Sequence, residues 1–195
     1  MRVFYGIILK VKLNSQPKGV SEMSFLKRLG NRLPGFAVEA VTTENISKYE
    51  NVFCSNKDYY LITEGRPASL QDCIETIEYT ENFPIGIPHN LGFSKDGKGA
   101  AYLSLFEGYP EEKTLYIGLF LVDKSFQRNS FGTVIMQAVI DEGFSSGCTA
   151  VKLSVQDNNT SGCPFWQKLG FNAVNKIECE GFFNISMELK QMKAV

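Results

Sequence analysis

The 195-residue chain reads as a single α/β domain built on a mixed sheet. An almost unbroken apolar run, Leu115 to Val122, passes through the polar loop DKSFQRNS into an amphipathic segment that starts at Phe131. Val151, Leu153 and Val155 then alternate with Lys152, Ser154 and Gln156. Strand, helix and strand in that order imply a right-handed parallel crossover. Upstream, Lys95-Asp96-Gly97-Lys98 is a hairpin signal between two apolar runs. Downstream, two strand-like runs meet at Gly181. Antiparallel neighbours on either side of a parallel crossover make the sheet mixed.

Taken in order, residues 1–13 alternate like a strand, and 24–33 (SFLKRLGNRL) form a short basic helical patch ended by Pro34-Gly35. Residues 1–34 read as an extension or an edge addition to the sheet, within one domain of residues 1–195. Phe36 to Val41 is a strand. Thr43 is placed to cap a segment with Ile46, Tyr49 and Phe53 at helical spacing. Asp58 to Thr63 (DYYLIT) has the composition of a short strand. Ser69 and Asp72 resemble a capping box ahead of a helix whose apolar face is Leu70, Cys73, Ile74 and Ile77. Asn82 to Asn90, with two prolines and a glycine, reads as a loop. Strands at Leu91–Ser94, Ala100–Phe106 and Leu115–Val122 follow. A helix from Ser130 to about Ser146 turns Phe131, Val134, Ile135, Ala138 and Val139 inward and stops at Gly147. A short helix, Gly162 to Leu169, and strands Phe171–Glu180 and Phe182–Leu189 complete the domain.

Composition excludes several function classes. The net charge is −1, with no dense basic cluster, so there is no electrostatic case for nucleic acid or an anionic membrane. No apolar run approaches the ~20 residues of a membrane helix, and Lys10 and Lys12 interrupt the amino-terminal apolar stretch, which argues against a signal peptide. Five cysteines without CxxC spacing fit reduced thiols in a cytoplasmic protein. A single histidine, His89, in the loop IPHN, leaves little for a metal site or a Ser-His-Asp site.

The loop after Val122 is where function collects. Backbone N–H groups at a helix start are an anion site, and a short polar loop there reads as a pyrophosphate cradle. Val122 to Gly132 resembles the acyl-CoA-binding motif of the GNAT superfamily of N-acetyltransferases, which runs Gln or Arg, two variable residues, Gly, one variable residue, then Gly or Ala. Here it is Gln127-Arg128-Asn129-Ser130-Phe131-Gly132. A second match lies downstream: Asn159, the aromatic pair Phe165-Trp166, then Gly170-Phe171. The resemblance covers roughly residues 36–190. It implies a sheet with two splayed central parallel strands, and acetyl-CoA, the acyl donor, in the gap.

By that resemblance, Phe120, Leu121 and Val122 pair their backbone with the pantetheine arm, and the N–H of Leu121 or Val122 faces the thioester carbonyl as oxyanion donor. The backbone from Arg128 through Asn129, Ser130, Phe131 and Gly132 to Thr133 cradles pyrophosphate, and Asn159 contacts pantetheine or caps the following helix. The acceptor amine, small or peptidic, is expected between Ile46–Tyr79 and the turn at Gly181. There Glu64, Asp72, Glu75, Glu78 and Glu81 would suit a cation.

Three positions depart from the family pattern. Ser130 replaces the first glycine, so its hydroxyl is available for phosphate or for capping the helix. Trp166 stands where a tyrosine usually protonates the departing thiolate; an indole N–H can hold sulfur or pack but has no proton to give. Tyr116 stands where some members carry a glutamate base. Tyr116, Glu107 or a relaying water are the remaining candidates for the base. The sequence thus points to acetyl transfer onto a primary amine by direct attack, with a non-catalytic acyl-CoA-binding module as its rival. It leaves a homodimer open.

Overall fold

The computed structural model describes residues 20–179 and 181–192; the strand expected over residues 1–13 lies outside them. The elements are α1 (Val20–Arg32), β1 (Ala37–Ala40), a 3₁₀ turn (Ile46–Tyr49), α2 (Glu50–Ser55), α3 (Lys57–Glu64), α4 (Leu70–Glu81), β2 (Ile87–Lys95), β3 (Lys98–Glu107), β4 (Thr114–Val122), α5 (Phe131–Ser145), β5 (Ala150–Gln156), α6 (Gly162–Lys168), β6 (Asn172–Cys179) and β7 (Phe182–Lys190). The seven strands form one sheet in the order β1-β2-β3-β4-β5-β7-β6. Among the described residues β4 and β5 make the parallel pairing, and the other neighbours are antiparallel.

Each face of the sheet carries its own core. On one, Phe25, Leu29 and Leu33 of α1 and Ile135, Met136, Val139 and Ile140 of α5 pack on Leu91, Leu103, Leu115 and Leu153. On the other, Val52, Phe53, Tyr60, Cys73 and Ile77 from α2–α4 pack on Tyr102, Leu119 and Leu121. The segment expected as an edge addition is therefore part of the main core. Its apolar residues recur every four positions, one helical face that buries only against the sheet.

Four local expectations change. Asp58–Thr63 is helix, not strand. Its β-branched and aromatic residues favour a strand locally, but Tyr60 is drawn into the α2–α4 core against Phe53, and Gly65 closes α3 at φ 71°. The residues from Ile87 onward are strand, so His89 is not in a loop; it is buried on β2, its ring tilted against Phe25, and hydrogen-bonded to Glu107 at 2.6 Å. In α5, Val134 is 49% exposed while Met136 and Ile140 are buried. That helix is apolar on more than one side, so periodicity could not single out its inner face. Thr43 caps nothing: the turn there is closed by Asn45 Oδ1, which accepts the Thr42 N–H at 2.8 Å. The Ser69–Asp72 capping box forms as expected.

Candidate active site

The site begins at a β-bulge. Opposite β3, Ser104 pairs with Leu119 and Leu105 with Ile117, which leaves Gly118 as an extra residue in β4. An extra residue inverts the alternation of side chains. Leu115 and Ile117 accordingly face the α1/α5 core, whereas Leu119 and Leu121 face the α2–α4 core. A side chain at 118 has no room, since a Cβ would lie 2.8 Å from Ser104 Oγ and 3.0 Å from Phe106. At the same level β4 leaves β5: their pairing runs only from Thr114↔Ala150 to Ile117↔Leu153. Beyond that point the strands splay, and a cavity of about 540 Å³ opens between Gly118–Val122 and Leu153–Gln156.

Asp123 N–H bonds to Ala100 C=O at 2.9 Å, so that pair exchanges hydrogen bonds with β3, and by alternation so does Leu121 with Tyr102. The N–H of Leu121 is therefore committed to the sheet, which corrects its expected role as oxyanion donor. Phe120 and Val122 turn their backbone the other way, into the gap. The Val122 carbonyl is already occupied, accepting Asn56 Nδ2 and Gln127 Nε2, each at 2.9 Å. Gln127 also donates to Asn56 Oδ1 at 3.0 Å. Its amide thus moors the loop to β4 and to the junction of α2 and α3. This leaves both backbone groups of Phe120 and the N–H of Val122 for a bound strand-like arm.

Past β4, buried Asp123 anchors the loop by accepting the N–H of Ser125 at 3.0 Å and Asn51 Nδ2 at 2.9 Å. Burial alone would raise its carboxyl pKa; the hydrogen bonds from Ser125 and Asn51, with Lys98 nearby, outweigh it and hold the group below its ordinary value. Arg128 and Ser130 both adopt left-handed backbone, φ 61°. The first bond of α5 runs from Val134 N–H to Ser130 C=O, so the N–H groups of Phe131, Gly132 and Thr133 have no helical partner. The Ser130 hydroxyl makes no capping bond, which leaves it for an anion. A serine held left-handed costs about 1 kcal/mol relative to glycine. Ser130→Gly is therefore expected to raise stability in urea unfolding by up to about 1 kcal/mol while weakening coenzyme A by about as much, through the lost hydroxyl. Unchanged affinity would show that the hydroxyl does not touch phosphate.

Of the expected binding residues, Phe120, Leu121, Val122, Gln127, Arg128, Ser130, Phe131, Gly132, Thr133, Asn159 and Trp166 all line this cavity. Exposed Asn129 is not on its wall. Asn159 serves as a cap with its oxygen, accepting Gly162 N–H at 2.8 Å and Ser161 Oγ at 3.2 Å. Trp166 is 8% exposed, packed edge-on against Phe165 and Phe171. It is a core residue with one side on the cleft. Burial pushes the Tyr116 hydroxyl pKa up, with Tyr109 and Tyr79 adding to the shift, opposite to what a base requires. Tyr116 instead packs edge-on with Tyr109, ring centroids 5.0 Å apart. Glu107, the carboxylate candidate for the base, pairs with His89. None of the acidic residues expected beside the acceptor is on the wall: no Asp or Glu lines the cavity among the described residues. Asp72 is spent on Arg66 and Ser69, and Glu78 and Glu81 face solvent.

Sequence reasoning missed three polar groups on the wall. Among the described residues, neither amide atom of Gln156, 5% exposed, is partnered, and buried Ser154 Oγ has no partner. A buried polar atom left unpaired costs about 1–3 kcal/mol, so two such residues facing a cavity fit a polar ligand there. Asn56 was missed as well. An alternating strand signals nothing about which polar residues stay unpaired, and Asn56 meets Val122 only through the fold.

Residues 55–171 match the acetyltransferase (GNAT) family. The chain is 25% identical over 148 residues to a probable spermine N(1)-acetyltransferase of Bacillus subtilis subsp. natto (strain BEST195), covering 74% of this chain and 92% of that protein. An acetyltransferase of Thermus thermophilus superposes with a TM-score of 0.65 at 18% identity, over 80% of this chain and 97% of its own. An N-acetyltransferase of Thermoplasma acidophilum, solved with coenzyme A, does so with a TM-score of 0.58 at 13% identity, over 80% and 99%. At such identities the superpositions speak to fold, whereas the family match spans both splayed strands, the loop and α6. The chain belongs to the GNAT family and is an acetyl-CoA-dependent N-acetyltransferase.

Proposed function

We propose that the protein transfers acetyl from acetyl-CoA to a primary amine by direct attack, with donor and acceptor held together in the cleft. One observation carries this: a single cavity joins the anion loop at the end of β4, the bared backbone of Phe120 and a chamber on the far side of the Gly118 bulge. Pyrophosphate belongs at the loop, so the acyl end of the donor lies deeper, toward the bulge. There the Phe120 N–H is the donor that meets negative charge developing on the thioester carbonyl, typically a term of a few kcal/mol. The Val122 N–H and the Phe120 carbonyl hold the pantetheine arm, and Asn159 lines the same cavity.

The proton inventory needs neither a strong base nor a strong acid. An apolar chamber disfavours an ammonium ion and lowers its pKa from about 10.4. Ser154 Oγ and the Gln156 amide, both unpaired, are a seat for a water that carries the amine proton away. A thiol with pKa near 8.5 leaves tolerably as thiolate, so Trp166 need not supply a proton. Trp166→Phe is then expected to lower kcat less than tenfold. A loss of ~10³-fold, within the range of acid catalysis, would assign Trp166 a direct part in proton transfer.

Release of free thiol on mixing protein, acetyl-CoA and a panel of amines tests the proposal. The name of the Bacillus subtilis relative adds spermine to that panel. Tight coenzyme A binding without turnover of any amine would leave only an acyl-CoA-binding module.

A further inference from the structure

Beyond the bulge the cavity ends in rings: Tyr79 near the end of α4, Phe83, Phe106 of β3, Tyr109, and Tyr116 of β4. They form one connected wall. Phe83 lies 4.4 Å from Phe106 and 4.9 Å from Tyr109, centroid to centroid, and Tyr109 lies 5.0 Å from Tyr116. The contacts of Phe83 and Tyr116 with Tyr109 are edge-to-face, at 85° and 79°. Such a wall offers broad apolar surface, with ring edges and faces to meet another ring. Its charge is one-sided. Among the described residues the ionised side chains on the whole cavity wall are Arg128 and Lys168, both cationic, and no carboxylate is present.

We infer that the acceptor is a primary amine borne on an aromatic or bulky apolar body, carrying no charge besides the amine itself. This rests on the transferase proposal above and names its acceptor class. A polyamine would bring several ammonium groups into a cavity without a carboxylate, where each loses hydration and none gains an ion pair. Cation–π contact with a ring offsets only part of that loss for each group. An apolar body gains from the same rings, and its single amine loses its proton on entry and faces the bulge.

Calorimetric titration of amines into protein saturated with coenzyme A, which cannot react, tests this apart from turnover. 2-Phenylethylamine is expected to bind at least tenfold more tightly than spermine. Tyr116→Leu or Phe83→Leu should weaken it about tenfold, with coenzyme A affinity changed less than about twofold. Either variant suffices, and coenzyme A binding reports that it has folded. Spermine binding as tightly as 2-phenylethylamine, no binding of either amine, or full affinity in both leucine variants overturns the inference. Binding of 2-phenylethylamine with no thiol release from acetyl-CoA for any amine of the panel would instead overturn the transfer proposal and leave the chamber's selectivity standing.

Discussion

Replacing Gly132 by aspartate is expected to raise the dissociation constant of coenzyme A by two orders of magnitude or more. A Cβ at this position meets Phe165 and Val122 side chains at 3.4 Å and Phe120 at 3.5 Å, all ordinary contact distances. Bulk alone is therefore tolerable, and Gly132→Ala should bind within a few-fold of the native protein. The aspartate carboxylate finds only apolar partners among those three side chains. It turns toward the open N–H groups of α5, where pyrophosphate belongs. Like charges brought together cost several kcal/mol, and each 1.4 kcal/mol is tenfold in affinity. Calorimetry with the two variants side by side checks this. Equal weakening by alanine and aspartate would mean that space, not charge, governs the cradle.

Loss of both arginines of α1 is expected to destabilise the fold by roughly 3 kcal/mol, the lower end for a broken buried ion pair. Glu142 of α5 is 1% exposed and accepts the Nε–H groups of both Arg28 and Arg32, the latter at 2.8 Å. The two guanidiniums continue to Ser146 and Ser145, each at 2.8 Å. Arg28→Met/Arg32→Met leaves a buried carboxylate without a counter-ion, whereas Glu142→Gln leaves guanidiniums that are partly in water and should cost less. Burial by itself would raise the Glu142 pKa, but the bonds from Arg28, Arg32 and Ser146 together lower it. A folded pKa below the unfolded value makes this stabilisation complete above the ordinary carboxylate range, near pH 4.3, and lost as pH falls through the folded value. Urea unfolding at neutral pH and again below pH 4 should therefore show the gap between native protein and Glu142→Gln closing on acidification. A gap that stays constant with pH would refute the assignment.

Much of the site was legible because it is a contiguous stretch. Val122 to Thr133 carries its chemistry in chain order: a strand that ends, a loop and a helix start that bares N–H groups. Ser69 and Asp72 were legible for the same reason, since a capping box closes within one turn. The errors share the opposite cause. Asp58–Thr63 has the residues of a strand, but Tyr60 gains more from the α2–α4 core than a strand would offer. His89 follows a proline, yet it extends β2 because Leu105 stands opposite it.

The linear pattern was enough to specify an α/β domain, its parallel crossover and an anion loop at the start of α5, because helix and strand periods and turn chemistry act between near neighbours. It could not say which backbone N–H of β4 faces the ligand. That depends on the bulge at Gly118 and the register with β3, and one extra residue reverses every assignment after it. Nor could it foresee that Glu78 and Glu81 of α4 face solvent while five rings from a helix, strands and loops converge on the acceptor side. Those rings span positions 79 to 116, and only the packing of α4 on β2 and β3 brings them together.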